Sequence, residues 1–312
     1  MAIFRAKDAK VSLFLLICIG SPHLFAESEG ALKEINKKLI NEQKQISEGI
    51  EDLAERLDYF LSGKRDPKKK NETYLKLIGF AELYEGGDLR TDTAVDFSLR
   101  LPNLEENWQL MLSSVEPQDF NSLDRRRYGT APGARKYGAG LGLVKKLGQF
   151  QTLFQPRLIF TDPFQTFYLL QFISKAKTGK WTIRPEFRFF ADSEKGTGQS
   201  GALYFDFEMN NKLIFQFLNE EQYLDLQNLF STNFGPQFLY NYSSRTGMST
   251  AFTFYSISRQ SYHLDHYTLN FSVRHDLYKK ILFLQLTPSL RFEKQYEFKG
   301  RAGYAVALEL VF

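Results

Sequence analysis

From Thr73 to the end of the chain, apolar and polar residues alternate with a period of two, which is typical of β-strands. In residues 203–209, leucine, phenylalanine and methionine occupy the odd positions, whereas tyrosine, aspartate and glutamate occupy the even positions. Residues 182–190 and 284–293 repeat the pattern, with charged or polar residues between aromatic and aliphatic ones. Charged residues that alternate with aromatics over about ten positions predict strands with one face toward lipid and the other toward water.

Turn residues divide this region into fourteen strand candidates. An even number places both ends of a barrel at the same rim, which we expect to be the periplasmic one. The connections 116–136 and 220–233 are then long loops on the opposite side. The TDPF connection at 161–164 is short for that side, so twelve strands is the alternative. The candidates are 73–83, 92–101, 106–115, 137–146, 150–160, 164–175, 181–191, 201–209, 212–219, 234–243, 248–259, 265–276, 281–293 and 302–312.

Composition favours a membrane barrel over a soluble sandwich, which would alternate in the same way. The chain has 30 Phe and 16 Tyr, more aromatics than most soluble sheets place on an apolar face. Its mean hydropathy is nevertheless slightly negative, because the other face is polar. The strand candidates also run to the end of the chain without an α/β rhythm. The balance of 40 basic and 36 acidic residues gives no indication of a nucleic-acid partner.

The final strand carries a second indication of a membrane barrel. Its apolar positions fall on one face and end in an aromatic residue, and they are Tyr304, Val306, Leu308, Leu310 and Phe312. This ending resembles the C-terminal signal by which bacterial outer-membrane proteins are recognised, which implies the barrel-assembly machinery as a partner. The run LDYFLSGKRDPKKKNETYLKL, followed by SLRLPNLEENWQLML, is similar to a class of proteobacterial outer-membrane barrels with a short helix before the first strand. That resemblance implies architecture and no activity.

The first 26 residues have the layout of a secretory signal. Arg5, Lys7 and Lys10 precede the ten-residue apolar run VSLFLLICIG, and a candidate cleavage site follows Ala26. The only cysteine, Cys18, lies inside this run, and Ile17 before it disfavours lipidation. We therefore expect three parts: a signal peptide at 1–26, a periplasmic helix with a basic linker at 27–71, and an outer-membrane β-barrel at 72–312.

Residues 31–62 have a helical period. One seam of the heptad is apolar throughout, whereas the second contains Asn36 and Gln43 in its first half. A coiled coil that joins copies of the chain and a lone amphipathic helix both fit this pattern. The apolar seam consists of Leu32, Leu39, Ile46, Leu53 and Phe60.

Charged residues predicted on the inner faces of the strands are the candidate functional residues. Arg184 and Arg188 on one strand are expected to face Asp206 and Glu208 on the next. Such a wall suits a hydrated channel, and it suits equally well a closed barrel laced by ion pairs. Three inward glycines, Gly138, Gly140 and Gly142, leave space that a loop or the N-terminal helix could occupy. The lumen-lining candidates are Arg184, Glu186, Arg188, Asp206, Glu208, Arg291 and Glu293.

The loop SYHLDHY at 261–267 is the strongest candidate for chemistry. Strand alternation would send the adjacent side chains of Asp265 and His266 to opposite faces, so we predict no catalytic residue, no metal site and no cofactor. The sequence has neither the His-x-Ser-Asn run of outer-membrane phospholipases nor the adjacent Asp-Asp and Asp-x-His pairs of omptin proteases.

The expected function is a passive channel or solute-uptake porin of unknown cargo. A surface protein acting in adhesion, envelope tethering or phage attachment is the alternative, and a hydrolase ranks third. Lipid and lipopolysaccharide are the expected surroundings. Three arginines in the long connection, Arg125, Arg126 and Arg127, are candidates for contact with lipopolysaccharide phosphates, against the simpler reading of a solvated loop.

Overall fold

Antiparallel strands dominate the part of the chain that the structure describes. The computed structural model describes residues 44–52, 54–56, 59, 73–87, 89–100, 108–113, 138–194, 196–258 and 261–312. The strands are β1 (Tyr74–Tyr84), β2 (Arg90–Arg100), β3 (Trp108–Ser113), β4 (Gly138–Leu147), β5 (Phe150–Ile159), β6 (Gln165–Ser174), β7 (Ala176–Thr178), β8 (Trp181–Asp192), β9 (Gly196–Glu208), β10 (Leu213–Leu224), β11 (Leu229–Asn241), β12 (Thr246–Ile257), β13 (His263–Tyr278), β14 (Leu282–Glu293) and β15 (Gly300–Val311).

The strands form a closed ring of fourteen positions. Each strand pairs antiparallel with its neighbours in sequence, except that β6 pairs with β8 and not with β7, and β15 returns to pair with β1. Lys175 separates β6 from β7, and both segments pair with β8, so together they fill one position. The fifteen strand segments among the described residues therefore build a fourteen-position barrel. This confirms the predicted fold and count, and the twelve-strand alternative is wrong.

The two faces of the wall are inverted relative to a soluble protein. Along β8, Trp181, Ile183 and Phe187 are exposed, whereas Glu186 and Arg188 are buried. Soluble domains bury apolar side chains and leave ionised ones in water. Here the polar face is turned into the ring and the apolar face away from it, as alternation predicts for a barrel in lipid.

The predicted long connection at 220–233 is wrong. β10 continues to Leu224 and β11 begins at Leu229, so only residues 225–228 form the turn. The sequence NEEQ at 219–222 has the polarity of a loop. It lies within a strand because Glu220 occupies the inner face, where Arg188 is 3.9 Å away. Asp225, the first residue of this turn, accepts a hydrogen bond from the Thr197 hydroxyl on β9.

Helical residues precede the barrel at 44–52, 54–56 and 59. The chain divides into the units Met1–Gly49 and Ile50–Phe312, so this helix crosses the division between them. Exposed pairs one turn apart support it, with Lys44 Nζ 3.6 Å from Glu48 Oε1 and Arg56 Nη2 2.8 Å from Asp52 Oδ2. The structure supports a helix in this part of the predicted span and gives no support to the coiled coil.

Several sequence predictions fall outside the described residues. They are the signal peptide, the heptad positions Leu32, Leu39, Leu53 and Phe60, the basic linker, and the arginines Arg125, Arg126 and Arg127. No helix among the described residues is long and apolar enough to cross a membrane.

Candidate functional site on the inner barrel wall

The inner faces of β8, β9 and β10 bring two of the predicted charges together. Arg184 Nε donates to Asp206 Oδ2 at 3.1 Å, and its guanidinium carbon lies 4.8 Å from the centre of the Tyr204 ring. Gln216 on β10 donates its amide to the other oxygen of the Asp206 carboxylate. Both oxygens of Asp206 thus have a donor. The side chains of this ion pair remain 20% and 18% exposed.

One step further along the same strands lies a buried network. Arg188 Nη2 donates to Glu186 Oε2 at 2.7 Å, and Arg188 Nη1 lies 3.9 Å from Glu220 Oε1. Gln171 on β6 donates its amide to the same Glu186 oxygen at 3.3 Å. The three charged side chains are at most 10% exposed. The Arg188 guanidinium therefore compensates the charges of two carboxylates in a part of the inner wall that is nearly excluded from solvent.

The predicted pairing of Arg188 with Glu208 is wrong. Glu208 lies at the end of β9 and accepts a hydrogen bond from Lys177 Nζ at 2.8 Å. The register explains the difference, because β8 places Arg188 opposite Ser200, eight residues away from Glu208 along β9. Sequence reasoning missed Glu220 as the second partner, since that residue fell in a predicted loop.

A second group of charges lies on β13, β14 and β15. Glu293 binds two arginines, with Arg291 Nη2 at 3.1 Å and Arg301 Nη1 at 3.0 Å. Nearer the opposite end of these strands, Arg274 Nη2 donates to Glu309 Oε2 at 3.0 Å. The Arg274 guanidinium also covers the Phe283 ring at 3.8 Å from its centre. Arg301 lies one residue before the predicted final strand and was missed for that reason.

The glycines of β4 pack against an arginine instead of leaving room for a plug. A Cβ added to Gly138 would lie 2.6 Å from Arg157 Nε and 2.8 Å from the Leu158 carbonyl oxygen. A Cβ on Gly140 would lie 3.0 Å from the Pro156 carbonyl oxygen and 3.3 Å from Arg157 Cβ. Gly142 is buried on the same face. At Gly138, the Arg157 side chain fills the space that the missing side chain leaves.

Gly138→Ala is expected to destabilise the barrel by about 1–3 kcal/mol, because the new methyl group overlaps both a side chain and a backbone oxygen. Gly247→Ala is the matched control, since nothing lies within 4 Å of the added Cβ. Urea unfolding of the two variants in lipid vesicles measures the difference. Equal stability of the two variants would show that Arg157 does not need this space.

The argument against an Asp265–His266 pair is also wrong. A register shift between Tyr255 and Ser256 interrupts the alternation where β12 pairs with β13. His266 Nδ1 and Asp265 Oδ2 then lie 2.9 Å apart, and the imidazole stacks on the Tyr255 ring at 4.9 Å between centres. Among the described residues, no group of three His, Cys, Asp or Glu side chains is placed to hold a metal ion.

The outer face carries aromatic clusters toward both ends of the wall. Near the end with the chain termini, Trp181 contacts Phe207 at 4.7 Å between ring centres, and Tyr240 contacts Tyr242 at 6.3 Å. Toward the opposite end, a run of rings crosses four adjacent strands with separations of 5.3, 6.0 and 4.6 Å, from Phe234 to Phe254, Tyr267 and Phe292. Two aromatic girdles around an apolar band mark the two interfaces of a bilayer.

The residues of the predicted assembly signal line the outer face of β15. Tyr304 is 62% exposed, and Val306 is exposed beside it. The terminal Phe312 exchanges two backbone hydrogen bonds with Leu75, at 2.8 and 3.2 Å, which secures the junction of β15 with β1. Leu308 and Leu310 pair with Gly79 and Leu77 across this junction.

Comparisons with known proteins give structural similarity only. No family model matches the chain, and no curated protein sequence matches it. A loop-deletion mutant of OmpT, an outer-membrane protein of Vibrio cholerae, is 9% identical; the match covers 78% of this chain and 99% of that one, with a TM-score of 0.49. The KdgM porin is 8% identical, with coverages of 76% and 99% and a TM-score of 0.36. OccK5 of Pseudomonas aeruginosa is 7% identical, with coverages of 78% and 98% and a TM-score of 0.45.

Proposed function

We propose that the chain spans a bacterial outer membrane and acts as a passive channel for small polar solutes. The inverted wall and its two aromatic girdles support the location, because such a surface is stable only where lipid surrounds it. The N-terminal helix would then lie on the periplasmic side, at the rim where both chain ends of the barrel emerge.

The observation that carries the channel is the exposure of inner-wall ion pairs. Arg184 and Asp206 keep about a fifth of their side-chain surface, and Arg274 and Glu309 keep 31% and 21%. These side chains point into the ring, so the water that reaches them lies in the lumen. A barrel of about fourteen strands is wide enough for an aqueous passage unless a segment fills it.

The wall suits solutes without a strong net charge. Its described ion pairs and three-residue groups combine charges of opposite sign, which cancel much of each other's field at a distance. Between the charged groups lie neutral hydrogen-bonding side chains: Gln285 donates to Ser272 at 3.0 Å, and the hydroxyls of Ser272 and Thr287 are 3.0 Å apart. We therefore expect weak ion selectivity.

Planar-bilayer recording of the purified protein tests the channel. Discrete conductance steps are expected from the intact chain. If the intact protein is silent and a variant lacking residues 27–62 conducts, the helix closes a functional channel. Silence from both would refute the channel and leave a surface-interaction protein as the better explanation.

Arg184→Gln is expected to shift ion selectivity toward cations, because it leaves the Asp206 carboxylate without its cationic partner in a hydrated part of the wall. Asp206→Asn is the matched control and should shift selectivity toward anions. Reversal potentials in a salt gradient measure both shifts. If neither variant differs from the parent protein, the ion pair does not face the conducting path.

A further inference from the structure

The described turns at the rim with the chain termini are basic. At the rim with the chain termini, the five described turns are 148–149, 179–180, 209–212, 242–245 and 279–281. They contain five basic residues and no acidic one, a net charge of +5. In the sequence, the connection 101–107 at the same rim adds Glu105 and Glu106, so the turns at this rim sum to 5 − 2 = +3.

Seven exposed cations make up what we call the basic rim. They follow the arc from β4 to β14, and the connection 101–107 at the same rim lies outside the described residues. All seven are exposed, and none takes part in the buried inner-wall network of Arg188, Glu186 and Glu220. The basic rim consists of Lys145, Lys175, Lys180, Lys212, Arg245, Lys279 and Lys280.

The basic rim lies beside the aromatic girdle at that end. Lys180 directly precedes the exposed Trp181, and Lys279 Nζ lies 5.6 Å from the centre of the Tyr278 ring. Phe150 and Tyr242 are exposed next to the turns at 148–149 and 242–245. Aromatic girdles occupy the level of lipid head groups, so the ammonium groups beside them reach the phosphates of the same leaflet.

We propose that the basic rim binds the phosphate groups of anionic phospholipids in the leaflet on the side of the chain termini. The proposal rests on the membrane location proposed above and goes beyond the channel. Its partner is a lipid and not a compact acidic protein, because the cations are spread over four turns and two strand ends along the arc from β4 to β14. Lysine binds phosphate as a flexible point charge, which suits many separate head groups.

The residues for the test are those without another role in the structure. Arg245 is excluded because its guanidinium donates to the carbonyl oxygens of Asp276 and Leu277, at 2.7 and 3.0 Å for Nη2. Of the six lysines that remain, the four that lie in turns make a quadruple variant, K180Q/K212Q/K279Q/K280Q. The pair K279Q/K280Q has a matched control at the opposite rim, K294Q/K299Q.

Native mass spectrometry of the full-length protein, with phosphatidylglycerol and phosphatidylcholine as probes, measures the binding. The parent protein should retain phosphatidylglycerol in preference to phosphatidylcholine. Each lysine near a charged lipid surface contributes on the order of fivefold in affinity. The quadruple variant should therefore bind phosphatidylglycerol at least about tenfold more weakly than the parent protein. K279Q/K280Q should lose part of the binding, and K294Q/K299Q should keep it.

Three results would overturn the proposal. They are no preference for the anionic lipid in the parent protein, unchanged lipid binding in the quadruple variant, or equal loss of lipid binding in K279Q/K280Q and K294Q/K299Q. The quadruple variant could also keep its lipid binding but no longer sediment with cell-wall sacculi, as the parent protein would. That result would overturn the proposal and identify an acidic polymer as the partner. If the quadruple variant fails to fold, salt titration of the parent protein tests the proposal instead. Added salt screens the charges and must then release the anionic lipid. Conductance is recorded separately, so a silent channel with intact lipid binding refutes only the proposed function.

Discussion

Arg188→Met is expected to lower the free energy of unfolding of the barrel by about 3–5 kcal/mol. The substitution removes the guanidinium that lies 2.7 Å from Glu186 and 3.9 Å from Glu220. Two carboxylates would then remain on a part of the inner wall that is at most 10% exposed. Burial of an uncompensated charge costs far more than the net contribution of the intact pair, which is why the loss should be large.

Two further variants separate this cause from loss of packing. Arg184→Met removes a similar side chain from an ion pair that keeps about a fifth of its exposure, so its cost should be about 1 kcal/mol or less. The triple variant E186Q/R188M/E220Q has no charge in the network and should recover much of the lost stability. Urea unfolding in lipid vesicles, followed by tryptophan fluorescence, measures all three. If the triple variant were as unstable as Arg188→Met, the loss of stability would be due to lost packing and not to the uncompensated charges.

Phe271→Arg should destabilise the barrel by about 2–4 kcal/mol, because it places a cation on the lipid face near the middle of a strand. Phe271 is 43% exposed and lies midway along β13. Its neighbour Asn270 points to the inner wall, where it pairs with Ala251 and Ser289 on the flanking strands. Asn270→Arg should therefore cost much less, since an arginine there can reach water in the lumen.

The pair tests the facing of the wall with one substitution type at adjacent positions. Folding into vesicles, with unfolding free energies from urea titration, gives the two costs under the same conditions. Asn270 is a better inner-wall control than Asp206. The Asp206 carboxylate accepts hydrogen bonds from Arg184 and Gln216, which a substitution there would also remove. Similar costs at 270 and 271 would mean that the outer face does not contact lipid.

The alternation of residues determined most of the architecture. Side chains point to opposite faces at every second position of a strand, so a local pattern is sufficient to separate inside from outside in β8, β9 and β14. It also gave the fourteen positions, because turn residues mark most connections. Sequence failed at 220–233, where charged residues that belong to the inner wall have the same composition as a loop.

Only the tertiary structure decided which charges meet. Partners on different strands depend on register, which no single strand encodes, and register puts Arg188 beside Glu220 and leaves Glu208 to Lys177. The contact of Asp265 with His266 depends on an irregularity in pairing with β12. The space beside Gly138 is likewise filled by Arg157 from the adjacent strand. Alternation is a property of one segment, whereas these contacts arise from how two segments are aligned, and that alignment exists only once the ring has closed.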